Sequence, residues 1–441
     1  MSAQPTPTPD EVAESDGDPR ALGRAATQCA RLAFVRQDPA TLGAWRDAIE
    51  RHAEGPALPL VDRQIELLEA RVVEDAPLAV AEASASRAGL APMVVDVAAT
   101  RALAALTRDD LTEARHHARR AVRMSRTEEL PLQQYLSGLV LARVRRFEHQ
   151  PHMALRILTA LRRVAPAALE GWLEHELRMA GEPSHWAPET PRLDIARARA
   201  PGAPSAYVRA EFELFIALLD PSVASAEADD WRSGRTASVP RGMLALEPAL
   251  GEHHALVLLS PGEAMRVLAS SSVAGVELVH SSRPGRLETA LSVLALAPEP
   301  PTAEAFFEEV YGFAFEPAVH RGALEVLVHR LREMIGERAE ITRDRGTIGL
   351  RVDRPFAVPD PRVKRSLDDA VLRSLAQRPG ATAKESAAEA GAPLRSVQHV
   401  LKRLVEEGAC EAEKRGRVVC YRVEDTTFTE PTRVLDWNRN G

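Results

Sequence analysis

Lysine is nearly missing from this chain of 441 residues: of 56 basic residues all but Lys364, Lys384, Lys402 and Lys414 are arginine. Nothing before position 364 can therefore serve as a phosphate-loop lysine, a Schiff-base lysine or the lysine of a phosphorylation receiver. Each of those roles needs a compact ammonium or a nucleophilic amine, which guanidinium does not replace. Cysteine is as scarce, with only Cys29, Cys410 and Cys420. That excludes a disulfide framework and suits a reducing compartment. No apolar run approaches the ~20 residues that span a bilayer. The first 18 residues, MSAQPTPTPDEVAESDGD, lack a basic start and an apolar core, so they read as a disordered tail, not a signal peptide. A cytoplasmic protein without membrane contact is expected. GxGxxG, GxSxG and P-loop patterns are also missing. His175 and His185 lack a ligand spacing such as HExxH, and His116-His117 lies in a polar helix. No cofactor, metal or catalytic constellation is expected, although catalytic groups can converge in space.

What is present is organised in blocks. Residues 19–219 are rich in Ala, Leu, Arg and Glu at helical spacing, as in VDRQIELLEARVVED, LTEARHHARRAVRMS and PHMALRILTALRRVAP. Small residues recur: Ala81, Ala114 and Ala154, each followed seven positions on by Ala88, Ala121 or Leu161, with Ala142 and Pro166 twelve either side of Ala154. Over roughly 60–200 this resembles tetratricopeptide repeats, where small residues let paired helices approach and a proline closes the unit. A generic α-helical domain is the other reading. The domain is expected to receive a protein partner or a signal.

Residues 220–240, PSVASAEADDWRSGRTASVPR, read as a linker. Short β-rich runs follow: MLALEP, HHALVLLS, AMRVLAS and GVELVHS. Helical text returns at 286–298 and 302–313, then a helix from about Val319 to Ile335, then the hairpin-like AEITRDRGTIGLRV. Leu324, Leu327, Val328, Leu331, Met334 and Ile335 make an apolar stripe on that helix. On the opposite side Arg321, Glu325, His329 and Arg332 fall within a narrow arc, which suits either solvent or a major groove. On VLVHRLREMI and RGTIGLRV, residues 241–353 resemble the winged-helix effector domain of OmpR/PhoB-type response regulators and SARP-type activators. The segment departs from that pattern by an apparent extra residue, by Leu350 in place of an aromatic, and by Glu325 and Glu333. The resemblance implies DNA contacts from Arg321, His329 and Arg332 on the helix and Arg343 and Arg345 on the wing. RPFAVPDPRV, 354–363, reads as a proline-stiffened joint.

A last unit spans 361–424. LDDAVLRSLAQRPG reads as a first helix, and TAKESAAEAG as a second, with Thr382 and Glu385 as a capping box and Gly391 closing it. PLRSVQHVLKRLVEEG is the third helix, with Pro393 near its start. A helix–turn–helix needs a small residue at the crossing (Ala387), a turn-tolerant residue four later (Gly391), and apolar pins at Val397 and Val400. Leu394, Val397, Val400, Leu401 and Leu404 are expected inside. Arg395, Gln398, His399 and Lys402 are expected outside, with Ser396 and Arg403 at the margins. Arg and Lys can bond guanine O6/N7 and Gln can pair with adenine. ACEAEKRGRVVCYRV then reads as a hairpin whose Lys414, Arg415 and Arg417 can grip phosphate. Residues 365–423 resemble the winged helix–turn–helix of MarR/ArsR-type regulators, without the ArsR-type metal-site cysteines. Cys410 and Cys420, on the two wing strands, read as small buried residues or as a redox pair. Lys plus Arg number 13 against 8 Asp plus Glu over 361–422, whereas the whole chain carries −7. The tail 425–441 shows no pattern.

The expected fold is therefore mostly α with an α+β C-terminal part: a helical-repeat domain followed by two winged helices. The expected function is a bacterial-type, sequence-specific transcriptional regulator that binds double-stranded DNA, with a homodimer open. The alternatives are a scaffold whose winged helices bind protein, and an all-α enzyme at 19–219.

Overall fold

Four successive helices begin at Ala91, Leu111, Pro131 and Pro151, one every twenty residues. The turns between them explain the interval. Gly89, Asp109, Glu129 and His149 each adopt positive φ. The next amide then reaches back five residues: Leu90 N–H to Ala85 O (3.0 Å), Asp110 to Ala105 (3.0 Å), Leu130 to Ser125 (2.9 Å) and Gln150 to Arg145 (2.9 Å). These bonds cap the last carbonyls of each helix, which offsets the strain of a left-handed non-glycine residue. Proline at the start of the next helix lacks only an N–H that would have had no helical partner. In the computed structural model, which describes residues 19–52, 56–181, 192–236, 240–243, 255–268, 276–281, 285–363 and 366–430, the chain is mostly α-helical with small antiparallel sheets in its C-terminal part. The expected disordered tail at 1–18 lies outside the described residues, as do His185 and most of the expected strand at 243–248.

The chain divides into two compact units. The first takes residues 1–213 together with 367–441. Its helices are α1 (Pro19–Val35), α2 (Pro39–His52), α3 (Ala57–Leu68), α4 (Ala76–Arg87), α5 (Ala91–Thr107), α6 (Leu111–Thr127), α7 (Pro131–Phe147), α8 (Pro151–Arg162), α9 (Glu170–Met179) and α10 (Arg192–Arg199). A further helix, α11 (Ala206–Leu219), begins in this unit. Three-residue turns force α5 to α8 to fold back on one another, and the helix pair repeats at 40 residues. Ala81, Ala114, Ala121, Ala142, Ala154 and Leu161 are all buried where these helices meet. Ala88 is exposed, because α4 ends one residue before it. α5 and α7 are buried nearly all round, so neither leaves a free groove.

The C-terminal segment of this unit contains α16 (Leu367–Gln377), β6 (Ala381–Thr382), α17 (Ala383–Ala390), α18 (Leu394–Glu406), β7 (Glu411–Arg415) and β8 (Val418–Arg422). It is no free-standing module. Ala376 of α16 belongs to the core of the helical stack, and Met153 of α8 packs on the C-terminal core. Beyond β8 the chain crosses the stack. Arg156 Nε donates to Val423 O (3.1 Å), Arg145 pairs with Asp425 (2.8 Å), and Phe428 packs on Gly138 and Leu161. The patternless tail is thus a clasp, at least as far as Glu430.

The second unit takes 214–366. Residues 220–240, expected as a linker, contain α12 (Ala226–Arg232), capped by the Ser225 hydroxyl. Trp231 is fully buried, and Arg266 holds its carbonyl (2.9 Å) and that of Thr236 (2.7 Å) while pairing with Asp360 (3.0 Å). β1 (Ala255–Ser260) pairs with β2 (Glu263–Val267) and with β5 (Phe356–Asp360), all antiparallel. The expected joint at 354–363 is therefore wrong over β5, whose five residues are all buried. Proline is tolerated there because Ala357 directs its N–H to Glu277 O, away from β1. Pro359, two residues on, lacks only a donor that would point the same way. GVELVHS supplies one bridge, Leu278 to Ala357, not a strand. Helices α13 (Arg286–Leu296), α14 (Ala303–Tyr311) and α15 (Pro317–Ile335) lead to the hairpin β3 (Ala339–Asp344) and β4 (Thr347–Val352). The turn Arg345-Gly346 has φ of 46° and 91°, as a two-residue hairpin turn with the right twist needs.

Candidate nucleic-acid interface

The sequence around α18 dictates its pose. Thr382 Oγ1 accepts from Glu385 N, and Glu385 Oε2 accepts from Thr382 N (2.7 Å), so α17 starts with a reciprocal cap. That bonding holds the Glu385 carboxyl below its usual range. Gly391 closes α17 with φ 62°, a conformation that costs an L side chain about 1–2 kcal/mol. Ala387, Val397, Val400, Leu401 and Leu404 are buried, so α18 lies on α16 and α17 through one stripe. Arg395, Ser396, Gln398, His399, Lys402 and Arg403 are all exposed. At ~100° per residue Arg395, His399, Lys402 and, at the C-terminal end, Glu406 point most directly away from the core, with Gln398 and Arg403 flanking. Leu394, expected inside, is 43% exposed. It is the first residue of the helix, and on the helical projection it sits at the edge of the buried stripe.

Charge pairing separates these groups. Arg403 pairs with Asp368 of α16, and Lys402 approaches Glu406 at 3.9 Å. Arg395 pairs with no carboxylate among the described residues. On the hairpin, Arg415 pairs with Glu413 (2.9 Å) and Arg422 with Glu411 (2.7 Å). Lys414 and Arg417 have no acidic partner among the described residues, and both are exposed. Three cations were expected to grip phosphate; two of them carry charge that no neighbour offsets. Cys410 precedes β7 and is buried, which pushes its thiol up to about 11. Cys420 faces Glu413 and Thr382 across the sheet, so the two cysteines are not opposite one another.

The second unit arranges the same kinds of element differently. Leu324, Leu327, Val328, Leu331 and Ile335 of α15 are buried as expected, and Met334 is half-buried. Arg321, His329, Arg332, Arg343 and Arg345 are exposed. Arg343 nevertheless bonds Glu325 (2.8 Å), His329 lies 3.4 Å from Glu333, and Arg332 donates to Ile341 O (3.3 Å). The Arg343 bond holds the Glu325 carboxyl below its usual range, so that charge persists. The side of α15 most directly opposite its buried stripe carries Gly322, Val326, His329 and Glu333, flanked by Ala318 and Val319. Val319 is 67% and Val326 52% exposed. Of the four residues expected opposite the stripe only His329 lies there; Arg321, Glu325 and Arg332 fall toward one flank, because the 3.6-residue period puts Gly322, Val326 and Glu333 opposite the stripe instead.

The first unit also buries a cluster of charges. Arg143 and Arg146 of α7 bond Glu176 of α9 and Glu211 of α11, with Arg146–Glu176 at 3.0 Å and Arg146–Glu211 at 2.8 Å. His175 Nε2 lies 2.6 Å from Glu211. The carboxylates of Glu176 and Glu211 stay below their usual range, because two guanidinium groups outweigh the cost of burial. His175, Glu176 and Glu211 lie close enough to hold a metal ion. The two arginines already occupy those carboxylates and would repel a cation, so the set does not fit a metal. All five side chains are closed off from solvent, and no substrate reaches them. Among the described residues no helix is long and apolar enough to cross a membrane.

Comparison with protein-family models, with curated proteins and with solved structures finds no match to this chain.

Proposed function

We propose that this protein is a sequence-specific, double-stranded-DNA-binding regulator whose base-reading element is α18. In this reading residues 367–422 are a winged helix–turn–helix: α17 and α18 the helix pair, β7–β8 the wing. The observation that carries it is the single outward face made by Arg395, Gln398, His399 and Lys402, all exposed, over a fully buried apolar stripe. A helix of this width fits a major groove, where these side chains can reach base edges. Lys414 and Arg417 supply phosphate contacts that set register. The stacked helices of the same unit hold the reader through α16 and the 423–430 clasp. A partner or signal acting on that stack would act on the reader without a flexible joint between them. The test is selection of bound duplexes from a random pool by the full chain. An enriched motif supports the reading; recovery of random sequence defeats it.

A second reading is favoured for the second unit alone. The outward face of α15 sets the small Gly322 and the exposed Val326 beside His329 and Glu333, so it offers one donor where that of α18 offers several, and we propose that it contacts protein. Val326→Asp should then leave duplex affinity unchanged and abolish association with that partner.

A further inference from the structure

Helix α6 carries Arg115, His116, His117, Arg119, Arg120, Arg123 and Arg126 against one acid, Glu113. Residues 19–213 hold 27 arginines and 25 acids, so α6 with five arginines and one acid contains more net positive charge than that whole region. The charge is also directional. Ala114, His117, Ala118, Ala121, Val122 and Ser125 are buried. The opposite side carries the exposed His116 and Arg123 and the half-buried Arg119, with the exposed Arg126 toward one flank, a row about 15 Å long at 1.5 Å per residue.

Some of the helix's arginines are already neutralised. Arg115 pairs with Glu148 and Arg120 with Glu82. Arg119 and Arg123 pair with no carboxylate among the described residues, and Arg119 Nε, itself buried, has no hydrogen-bond partner there. Arg126 donates to the neutral hydroxyl of Thr429, which leaves its charge uncompensated. That last bond also places the row. Thr429 lies in the clasp that follows the hairpin, so the end of α6 adjoins the chain that leaves the reader.

We propose that the outward face of α6, centred on Arg119 and Arg123, binds the phosphate backbone of the duplex flanking the site read by α18. This rests on the reading of α18 as a DNA reader. Guanidinium is the side chain suited to bidentate phosphate contact. The face has no tyrosine, phenylalanine or tryptophan on which an unpaired base could stack, which disfavours a single strand. It offers no exposed large apolar side chain for a protein partner.

The test uses the full chain and a duplex recovered by selection, in a short form covering the selected motif alone and a form extended by about two helical turns. The variant is Arg119→Gln with Arg123→Gln, and thermal melting checks that it folds. The parent should bind the long duplex more tightly than the short one. Its dependence on salt should be steeper on the long duplex by ~0.9 for each phosphate contact. For two contacts that is about tenfold more affinity lost between 50 and 200 mM salt. The variant should lose this gain while keeping parental affinity for the short duplex, and Arg119→Lys with Arg123→Lys should restore most of it. Equal length dependence in parent and variant overturns the proposal, as does tighter binding of the α6 face to single-stranded RNA. Loss of binding to the short duplex in Arg395→Ala, with the length effect of α6 absent, would spare the reader and sink only this inference.

Discussion

Two regions of this protein present a long helix followed by a two-stranded hairpin: α15 with β3–β4, and α18 with β7–β8. Both helices bury one apolar stripe and expose the rest, yet their outward faces differ. That of α18 offers Arg395, His399 and Lys402, with Glu406 at its end 3.9 Å from Lys402. That of α15 offers Gly322, Val326, His329 and Glu333, with Arg321 and Arg332 toward one flank and Arg330 toward the other; His329 lies 3.4 Å from Glu333, and Arg332 donates to Ile341 O. A shared order of elements therefore does not imply a shared partner. What decides is which side chains stand opposite the buried stripe, and whether a neighbouring carboxylate already holds them.

The largest expected effect bears on the frame that holds the unit containing α18 together. Glu211→Ala leaves Arg143 and Arg146 short of a buried carboxylate and should cost about 3–5 kcal/mol, read by chemical denaturation. The sign with pH follows from the same contacts. Glu176 and Glu211 titrate below their unfolded values, so their contribution is present above about pH 4.3 and is lost as pH falls through the folded values. A parent whose stability stays flat as pH falls from about 5 to its acid transition would show that the cluster carries no such linkage.

Next come matched changes in the two long helices. Arg395→Ala should lose about 1–3 kcal/mol on the selected duplex and flatten preference at one position. Val326→Ala should change duplex affinity by less than a measurable amount. Equal losses would make α15 a reader as well and erase the contrast drawn above.

The hairpin sharpens the comparison further. Replacing Lys414 and Arg417 by alanine should lower the salt slope by ~0.9 for each contact and weaken every sequence alike. Arg415→Ala should do less, because Glu413 already pairs with that guanidinium. A larger effect from Arg415 than from Lys414 would mean that the pair opens on binding. The smallest expected effect is local: Thr382→Ala should cost about 0.5–2 kcal/mol of stability through loss of the α17 cap.

Much of this was legible in the sequence where the signal is local. The Thr382–Glu385 cap, the Gly391 turn and the stripes of α15 and α18 are each set by residues within a few positions of one another. Signals that depend on distant partners were not legible. Phe356–Asp360 reads as a joint because two prolines surround it, and only its place at the flank of β1 makes Pro359 tolerable. Ser225 and Trp231 mark a helix inside an apparent linker, but Trp231 needs Arg266 to give it a place. Arg143 and Arg146 look like surface residues until Glu211, 65 positions from Arg146, closes over them. Arg343 looks like a phosphate ligand until Glu325 is found beside it.

The central claim is that α18 reads bases. Its most direct test is the affinity of the full chain and of the Arg395→Ala, Gln398→Ala variant for the selected duplex and for a scrambled duplex of equal length, at one salt concentration. The account predicts that the parent prefers the selected duplex and that the variant falls to the affinity both proteins show for the scrambled one. An unchanged preference in the folded variant would contradict it.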